Sequence, residues 1–365
     1  LISSFMKILI ACGGTGGHLF PGIAVAESFL AQGHEPLLLI SQKKIDSQAS
    51  AKYPHLHFKV VPAIAKPKTL SPKMIPFLWA LYQSIQTSKK IIREFGADAV
   101  LGMGGFTSLP PVYAGHKLGK KTFVHDSNAR PGRANILTSR FCNKVFIGLE
   151  PAAAFFKKAS HLTGTPARPE ILKLPSRDDA AKHFGLDPNQ TTLLVTGGSQ
   201  GALRLNQLIA EAANSLPPEI QILHIAGPGD LPRIETEFPQ QRTGYHLIGF
   251  CDQMPSAYAC ADLVVARSGA STLTEISLAA LPSVLVPFPY AADDHQTANA
   301  QVFVKANAAK LIQEKELTPA SLAEFLSQLL TNPGALKNMA EASKSLAIPD
   351  AADQVVAKIL AELKI

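Results

Sequence analysis

Three side chains at predicted strand ends have the chemistry of a general base. His18 lies in a glycine-rich stretch that follows the first apolar strand, and His125 and Asp126 end another strand. An imidazole near its ordinary pKa accepts a proton at neutral pH. His18, His125 and Asp126 are therefore the candidates for a general base. A purely structural role is the alternative for each histidine.

Two glycine-rich turns, about half the chain apart, each join an apolar strand to a helix. The first is Gly-Gly-Thr-Gly-Gly-His at 13–18, and the second is Gly-Gly-Ser-Gln-Gly-Ala at 197–202. Such turns let a ligand reach backbone N–H groups at a helix N-terminus, where the helix dipole favours negative charge. The pair predicts a phosphorylated ligand and two α/β halves that face one cleft, although tight strand-to-helix packing would explain either turn alone.

Neither turn matches a dinucleotide or an ATP site. Counted from Gly14, the third glycine position holds Leu19, and the second strand ends in Ser-Gln-Lys-Lys at 41–44 instead of an acidic residue. No lysine follows either turn, as a P-loop requires. Both patterns therefore argue against NAD binding and ATP hydrolysis.

Further polar groups follow two strands of the second half. Residues 267–275, Arg-Ser-Gly-Ala-Ser-Thr-Leu-Thr-Glu, indicate another strand-to-helix entry, where N–H groups can hold a phosphate while Glu275 reaches a diol. Residues 293–296, Asp-Asp-His-Gln, are suited to sugar hydroxyls. The aspartate pair is also a candidate metal site, but the chain has no Asp-x-Asp motif, and we expect no metal.

Composition predicts two domains and a reducing compartment. The chain has 365 residues, of which 46% are hydrophobic, and this is enough for two cores. Its four cysteines lack C-x-x-C or metal-type spacing, which is typical of reduced thiols in the cytosol. Met6 is a candidate initiator, and we expect neither a signal peptide nor a membrane span.

The net positive charge of the chain comes from its first half. Residues 1–168 contain 21 lysines and arginines against 7 aspartates and glutamates, a net charge of +14, whereas residues 169–365 have a net charge of −7. The asymmetry predicts an acidic partner, either anionic lipid or nucleic acid, unless it serves solubility alone. Because the second half is acidic and no recognition motif appears, we expect no nucleic acid.

A segment flanked by lysines is a candidate membrane contact. Its core-facing helical stripe is predicted to consist of Leu78, Tyr82, Ile85, Ile92 and Phe95. Met74, Ile75 and Trp79 fall outside this stripe. We predict that these three residues contact a membrane interface, with an ordinary crossover helix as the alternative.

Short apolar runs alternate with helical patterns throughout, which is typical of parallel sheets built from βαβ units. The predicted strands lie near 7–12, 36–40, 58–61, 98–102, 122–125, 144–147, 192–196, 221–225, 246–248, 262–265 and 283–286. A segment rich in glycine and proline at 164–169 separates the two sets of strands and is suited to a linker. The predicted fold class is α/β.

Six motifs in this order resemble the MurG family, the bacterial N-acetylglucosaminyltransferases that convert lipid I to lipid II in peptidoglycan synthesis. They lie at 13–18, 102–106, 125–128, 197–202, 267–270 and 294–300. The resemblance implies a type B glycosyltransferase fold, with two Rossmann-like domains flanking a cleft. Residues 1–165 would form the acceptor and membrane-facing domain, residues 166–347 the UDP-sugar-binding domain, and residues 348–365 a C-terminal helix that packs back toward the first domain.

The resemblance also implies a single inverting displacement that needs no metal and no cofactor. The C4 hydroxyl of an undecaprenyl-diphosphate-linked N-acetylmuramoyl-pentapeptide would attack UDP-N-acetylglucosamine and release UDP. For this reaction we predict His18 as the base, with His125 and Asp126 as the next candidates. By the family match, the Cys251 backbone meets the uracil, Glu275 the ribose and Gln296 the N-acetylglucosamine. The other implied donor residues are Thr15, Gly16, Gly17, Asn128, Arg168, Ser199, Ala270, Ser271, Thr272, Leu273 and Thr274. Further candidates for substrate binding are Gln200, His295 and Phe106.

Three positions depart from the family pattern. Phe106 stands where tyrosine is usual, Asp126-Ser127 replaces Glu-Gln, and Thr165 replaces asparagine. The shorter carboxylate weakens Asp126 as a base, and Phe106 lacks a hydroxyl that would meet the acceptor. The predicted phosphate turns are unaffected.

The expected location is peripheral, on the cytoplasmic face of the bacterial inner membrane. The expected partners are the lipid I acceptor, an anionic membrane surface and proteins of cell-wall synthesis. Two other functions stay open. A non-hydrolysing UDP-N-acetylglucosamine 2-epimerase has a similar fold and the same ligand but needs no lipid, and a membrane-surface binding protein with a degenerate nucleotide cleft would release no UDP.

Overall fold

The computed structural model describes residues 5–42, 51–62, 74–198, 201–239 and 242–363. The chain divides into two compact units. Unit 1 consists of Leu1–Arg168 with Ile348–Ile365, and unit 2 consists of Pro169–Ala347. In each unit, helices cover a parallel β-sheet.

Unit 1 contains a sheet in the order β3-β2-β1-β4-β5-β6-β7, and every neighbouring pair of strands is parallel. Its strands are β1 (Lys7–Ala11), β2 (Glu35–Ile40), β3 (His57–Val60), β4 (Ala99–Gly102), β5 (Lys121–Asp126), β6 (Lys144–Ile147) and β7 (Ser160–Leu162). Along the first part of the chain, its helices are α1 (Gly16–Ala31), α2 (Met74–Phe95), α3 (Leu109–Lys117) and α4 (Arg133–Ser139).

The central strands of unit 1 are apolar runs because helices cover both faces of the sheet. Side chains alternate between two cores: Ile8 and Ile10 belong to one, whereas Leu9 and Ala11 belong to the other. These four residues are fully or almost fully buried. The carboxyl ends of the strands, where each chain segment leaves the sheet, are therefore the places where polar residues can face a ligand.

Unit 2 contains a second parallel sheet, in the order β10-β9-β8-β11-β12-β13. Its strands are β8 (Thr191–Thr196), β9 (Ile220–Ile225), β10 (Tyr245–Ile248), β11 (Leu263–Ala266), β12 (Ser283–Leu285) and β13 (Ala309–Leu311). Its helices are α5 (Arg177–Phe184), α6 (Leu203–Ala212), α7 (Leu231–Glu237), α8 (Met254–Cys260), α9 (Ala270–Leu278), α10 (His295–Lys305), α11 (Pro319–Leu330) and α12 (Pro333–Ser345).

The last helix, α13 (Ala351–Glu362), belongs to unit 1 and packs on α1. Its apolar face lies in the same core as β1. The Ser28 hydroxyl donates to Asp353 Oδ1 at 2.5 Å. At the end of the helix, hydrogen bonds from Lys121 and Lys144 lower the pKa of the Glu362 carboxyl. The end of the chain therefore completes the core of unit 1.

The α/β class and the two Rossmann-like parallel sheets predicted from the sequence are confirmed. The prediction missed β7 and β13. Each is an edge strand of three residues that pairs with a single neighbour, and such a short strand carries little apolar signal. Across the described ranges, every helix is too short or too polar to traverse a bilayer.

Candidate active site

The first glycine turn passes directly against the end of β2. A side chain at Gly13 would overlap the backbone of Ile40 and Ser41, so a glycine is required there. Thr15 then caps α1 with extended backbone, and its own side chain makes no capping hydrogen bond. The first turn of α1, all of which is described, contains no acidic residue. The helix therefore begins at Gly16 with N–H groups that its own side chains do not cap.

His18 lies in the first turn of α1 and is half-buried. Its ring lies against two glycines that follow β4. A Cβ atom at Gly104 would be 2.7 Å from His18 Cε1, and one at Gly105 would be 3.3 Å from Nε2. Both glycines have positive φ angles, +118° and +72°. Gly104 and Gly105 thus form a slot that holds the imidazole at the edge of the sheet.

Two hydroxyls connect the loop that carries this slot to the first glycine turn and to the end of β1. Thr107 Oγ1 donates to the Gly13 carbonyl at 2.6 Å, and Ser108 Oγ donates to the Ala11 carbonyl at 3.0 Å. Thr107 was not predicted as a support of the site. The only local signal was its place just after the Gly-Gly-Phe motif.

Phe106, a lower-ranked candidate for substrate binding, connects the same loop to α2. Its ring meets Phe77 edge to face, with 6.2 Å between centroids. Phe106 is half-buried. The phenylalanine that stands in place of tyrosine therefore makes an aromatic contact with the helix that carries the predicted membrane residues.

His125 is fully buried at the end of β5. Its Nε2 lies 2.9 Å from the Gly164 carbonyl, which can only accept, so Nε2 carries the proton. Burial lowers the pKa of His125 and keeps the ring neutral. Among the described residues, Nδ1 has no hydrogen-bond partner. The ring therefore holds the segment that leaves unit 1.

Asp126 is buried, and hydrogen bonds occupy both of its carboxylate oxygens. Oδ1 accepts from the Asn128 backbone at 2.9 Å, while Oδ2 accepts from the Gly132 backbone at 3.1 Å and from Asn135 Nδ2 at 2.7 Å. The carboxylate thus fixes the loop after β5 and, with it, the predicted donor residue Asn128. Elsewhere in unit 1, the Arg168 guanidinium lies over the Phe20 ring at 4.8 Å.

The second glycine turn joins β8 to α6. Ser199 and Gln200, both predicted donor residues, lie outside the described residues. The described part of the turn ends at Ala202, whose backbone and Cβ closely approach Gly197. The helix begins at Leu203, and no acidic residue lies in its described first turn.

The third entry joins β11 to α9, as predicted. Gly269 caps the helix with extended backbone and without a side-chain hydrogen bond. Ser271 and Thr272 are half-buried in its first turn, while Ala270 and Leu273 are buried and Thr274 Oγ1 bonds the Ala270 carbonyl at 2.9 Å. The first turn of α9, described completely, holds no acidic side chain. This N-terminus has the polarity and small side chains that suit a phosphate.

Glu275 is half-buried one turn and a half into α9. Its Oε2 accepts from the hydroxyl of the buried Tyr258, on α8, at 3.0 Å. Tyr258 was not predicted as a site residue, because nothing in the neighbouring sequence distinguishes it from an ordinary core aromatic residue. Cys251, half-buried, follows β10 at the same carboxyl edge of the sheet.

The loop after β12 carries the remaining predicted sugar contacts. Phe288 N donates to Gln296 Oε1 at 2.9 Å, and Ser268 Oγ donates to the Gln296 carbonyl at 2.8 Å. His295 Nδ1 lies 2.8 Å from the Ala292 carbonyl. The preceding Asp293 has a positive φ angle of +52°. Gln296 is thus held by hydrogen bonds to the segments that follow β11 and β12.

Arg267 and the aspartate pair at 293–294 are further polar groups of the motifs in unit 2. The Arg267 guanidinium is buried and donates to the Val286 and Pro287 carbonyls at 3.0 Å each and to the Glu314 carboxylate, so it braces the loop after β12. For the aspartate pair at 293–294, the described part of the chain offers no group of three metal-ligating side chains.

Helix α2 presents an exposed apolar face formed by Ile75 (78% exposed), Leu78 (55%), Trp79 (61%) and Tyr82 (53%). Trp79 stacks on Tyr82, with ring centroids 5.8 Å apart. The prediction that Leu78 and Tyr82 face the core is wrong, and Met74 is half-buried.

The buried side of α2 is lined instead by small and aliphatic residues. Ser84, Ser88, Ile91 and Ile92 are buried on it, where α2 packs on α3. The serines let the two helices approach closely, so the larger apolar side chains near the start of α2 lie on the opposite, exposed side. A periodicity argument counts serine as polar and therefore misplaces the stripe.

Comparison with known proteins agrees with these observations. The family model described as glycosyltransferase family 28 N-terminal domain matches residues 8–147, and the C-terminal domain of the same family matches residues 192–355. Together these matches cover most of the chain. The chain belongs to glycosyltransferase family 28 and is a glycosyltransferase.

Full-length relatives narrow this class. Two of them, from Geotalea uraniireducens (strain Rf4) and Geobacter sulfurreducens, are named UDP-N-acetylglucosamine--N-acetylmuramyl-(pentapeptide) pyrophosphoryl-undecaprenol N-acetylglucosamine transferase. Each is 37% identical over 98% of this chain, covering 98% and 99% of the relative. The crystal structure of Acinetobacter baumannii MurG has a TM-score of 0.78 at 28% identity and covers 98% of this chain and 99% of that one. The resemblance to the MurG family stated above is confirmed.

One solved structure shares only the fold. A UDP-GlcNAc 2-epimerase from Neisseria meningitidis, bound to UDP-GlcNAc, has a TM-score of 0.71 at 16% identity and covers 97% of this chain and the whole of that one. At this identity the likeness shows the common fold alone.

Proposed function

We propose that this chain transfers N-acetylglucosamine from UDP-N-acetylglucosamine to the C4 hydroxyl of undecaprenyl-diphosphate-linked N-acetylmuramoyl-pentapeptide, which converts lipid I to lipid II. The observation that carries the proposal is the 37% identity, over 98% of the chain, to relatives named for this transfer. The helix entries and the supported side chains described above provide the chemistry.

Unit 2 supplies the donor contacts in this proposal. The N-terminus of α9 binds the diphosphate, because uncapped N–H groups and the helix dipole both favour an anion. Glu275 accepts hydrogen bonds from the ribose hydroxyls and is oriented by Tyr258. Gln296 contacts the sugar, and the backbone at Cys251 contacts the uracil.

His18 is the general base of the proposed displacement. It is half-buried at the strand edge, whereas His125 is fully buried and Asp126 already accepts hydrogen bonds on both oxygens. The imidazole takes the proton of the acceptor hydroxyl as that oxygen forms the bond to the anomeric carbon. The bond from the anomeric carbon to the diphosphate breaks, and UDP leaves with the electron pair.

The protein attaches peripherally to an anionic membrane through the exposed face of α2. This face is apolar, contains a tryptophan, and belongs to the part of the chain with a net charge of +14. Amphipathic aromatic residues and basic surroundings are the features that bind an interface without crossing it. The acceptor lipid would be reached from the cytoplasmic face of the inner membrane.

The transfer is tested by measuring UDP release by the purified protein, with and without a short-chain lipid I analogue. We expect release only with the analogue, together with a disaccharide product. Conversion of the donor alone to its N-acetylmannosamine isomer would instead identify a 2-epimerase. Absence of any release at protein concentrations that bind UDP would overturn the transferase assignment.

The base is tested by the substitution His18→Ala. We expect kcat to fall by about 10² to 10⁴, while the Kd for UDP changes little. His55→Ala is the control, since His55 is a surface residue paired with Glu27 at 2.7 Å. Wild-type kcat in His18→Ala would show that another group accepts the proton.

A further inference from the structure

A chain of four polar side chains runs through the interior of unit 2. His224 Nδ1 lies 2.6 Å from the Tyr245 hydroxyl, and His224 Nε2 lies 3.0 Å from Asn206 Oδ1. Asn206 Nδ2 then donates to Asp230 Oδ2 at 2.9 Å and to the Ala226 carbonyl at 2.7 Å. Asn206 and His224 are completely buried. The roles assigned so far use none of these residues.

The partners fix the direction of every hydrogen bond in this chain. Both bonds of the Asn206 amide nitrogen go to acceptors, so Oδ1 must face His224 and accept. His224 Nε2 therefore carries the proton, and Nδ1 accepts from the Tyr245 hydroxyl. Burial lowers the pKa of His224 to about 3, so the ring is neutral. A single arrangement of protons satisfies Tyr245, His224 and Asn206 together.

This row of hydrogen-bonded side chains ends beside Gly201, the last glycine of the second turn. Gly201 has a φ angle of +77°, and a Cβ atom there would lie 2.5 Å from the Ala226 carbonyl oxygen and 2.7 Å from Asp230 Oδ2. These are the same two groups to which Asn206 donates. Asn206 itself lies in the first turn of α6, directly after the glycine turn. It therefore ties the start of α6 to the surface on which Gly201 packs.

We propose that Asn206, oriented by His224 and Tyr245, is a positioning residue that fixes Gly201 and the start of α6 for the diphosphate of the donor. The inference rests on the proposed function and adds to it that the donor diphosphate, bound at the N-terminus of α9, also meets the start of α6. A backbone cradle binds an anion well only when its N–H groups are held in place before binding. Asn206 also donates to the Asp230 carboxylate, which lies beside Gly201.

The test compares two buried amides at opposite ends of β9: Asn206 on α6, which bonds the Ala226 carbonyl just after the strand, and Gln221 in the strand itself. Asn206→Ala removes the support at the carboxyl end of β9. Gln221→Ala removes a buried amide at the opposite end of that strand, where Gln221 bonds Asp187 O at 2.6 Å, Thr192 Oγ1 at 2.9 Å and Asp187 N at 3.0 Å. The measurements are the Kd for UDP by calorimetry, the KM values for UDP-N-acetylglucosamine and for a lipid I analogue, and the Tm.

We expect Asn206→Ala to raise both the Kd for UDP and the donor KM about tenfold. A tenfold change corresponds to about 1.4 kcal/mol of binding free energy, which is the size expected for the loss of one hydrogen-bonded support. The KM for the lipid I analogue should stay unchanged. Gln221→Ala should lower the Tm about as much as Asn206→Ala does, but it should leave the Kd for UDP within about twofold of the wild-type value. A loss of stability alone cannot produce this difference between the two variants.

The outcomes separate the inference from the proposed function. If wild type binds UDP and Asn206→Ala binds it equally well, or if Gln221→Ala weakens binding as much, the positioning role is wrong and the proposed function stands. If wild type does not bind UDP, both are overturned. Should Asn206→Ala fail to fold, Tyr245→Phe removes only the far hydroxyl of the chain; its Kd for UDP should rise about threefold, and an unchanged Kd would also refute the inference.

Discussion

At the scale of single residues, surroundings decide which of three similar candidates can act as a base. His18 lies in a slot between two glycines, His125 is buried against a carbonyl 39 positions away, and Asp126 is bonded by an amide 9 positions away. The sequence predicts which residues reach the strand ends, because strand ends follow from local apolar patterns. It cannot rank them, because burial and hydrogen bonding depend on partners that are distant along the chain.

The glycine slot around His18 makes a prediction with a matched control. Gly105 and Gly119 share a φ angle of +72°, but a Cβ atom at Gly105 would be 3.3 Å from His18 Nε2, while none of the described atoms lies within 4 Å of one at Gly119. Alanine at either position costs about 1 kcal/mol of stability through its backbone conformation. Only Gly105→Ala should also displace the imidazole.

We therefore expect Gly105→Ala to lower kcat by about tenfold or more, with wild-type kcat in Gly119→Ala. Steady-state transfer kinetics and urea unfolding of the two variants check this pair. Equal kcat values in the two variants would show that the slot does not position His18 for the reaction.

Burial of His224 predicts how stability depends on pH. Its pKa is about 3 in the folded protein against an ordinary value of 6.5, so the unfolded chain binds one more proton between these values. Above pH 6.5 this difference in proton binding does not affect stability. As the pH falls from 6.5 toward 3, it lowers the free energy of unfolding by about 1.4 kcal/mol per pH unit.

Replacing His224 with glutamine removes that dependence. We expect the unfolding free energy of wild type to fall more steeply from pH 6 to pH 4 than that of His224→Gln, by about 1.4 kcal/mol per pH unit. Urea unfolding at several pH values, followed by a probe in unit 2, measures the two slopes. Parallel slopes would mean that the ring is protonated in the folded protein.

At the scale of elements, local signals identified the strand-to-helix entries and missed the edges of the sheets. The three strand-to-helix entries are visible because glycines and small residues interrupt apolar runs. The edge strands β7 and β13 are too short to be recognised, and α2 was misread because serines line its buried side. Helix packing therefore decides which face of α2 is exposed, and the hydrophobic pattern of the sequence does not show it.

The exposed face of α2 should bind lipid. We expect replacement of Ile75 and Trp79 by serine to weaken binding to vesicles that contain anionic phospholipid by about tenfold or more, because both apolar side chains lose their contact with the interface. The Kd for UDP should not change. Vesicle co-sedimentation measures the first quantity and calorimetry the second.

Leu137→Ser is the control for this change, since Leu137 is an exposed apolar residue on α4 of the same unit. It should bind vesicles as wild type does. Equal loss of binding in the control, or none in the α2 variant, would exclude α2 as the membrane contact.

At the scale of the whole molecule, the chain builds its two units in different ways. Unit 2 is one continuous stretch, whereas unit 1 is completed only when α13 returns to it after residue 347. Val355, Val356 and Ile359 of that helix are fully buried in the core shared with β1. The stability of unit 1 therefore depends on the last residues of the chain, although the residues of its sheet are all in the first 168 positions.

This arrangement predicts that a core substitution in α13 acts on unit 1 alone. Ile359→Ala should lower the unfolding free energy of unit 1 by about 2 to 5 kcal/mol through the cavity it leaves, and Leu322→Ala, in the buried face of α11, should do the same to unit 2. Hydrogen exchange resolves the effects: amides of β1 should lose protection in the first variant and amides of β8 in the second. If Ile359→Ala lowered protection in β8 as much as in β1, the two units would unfold together and α13 would serve the whole chain instead of unit 1.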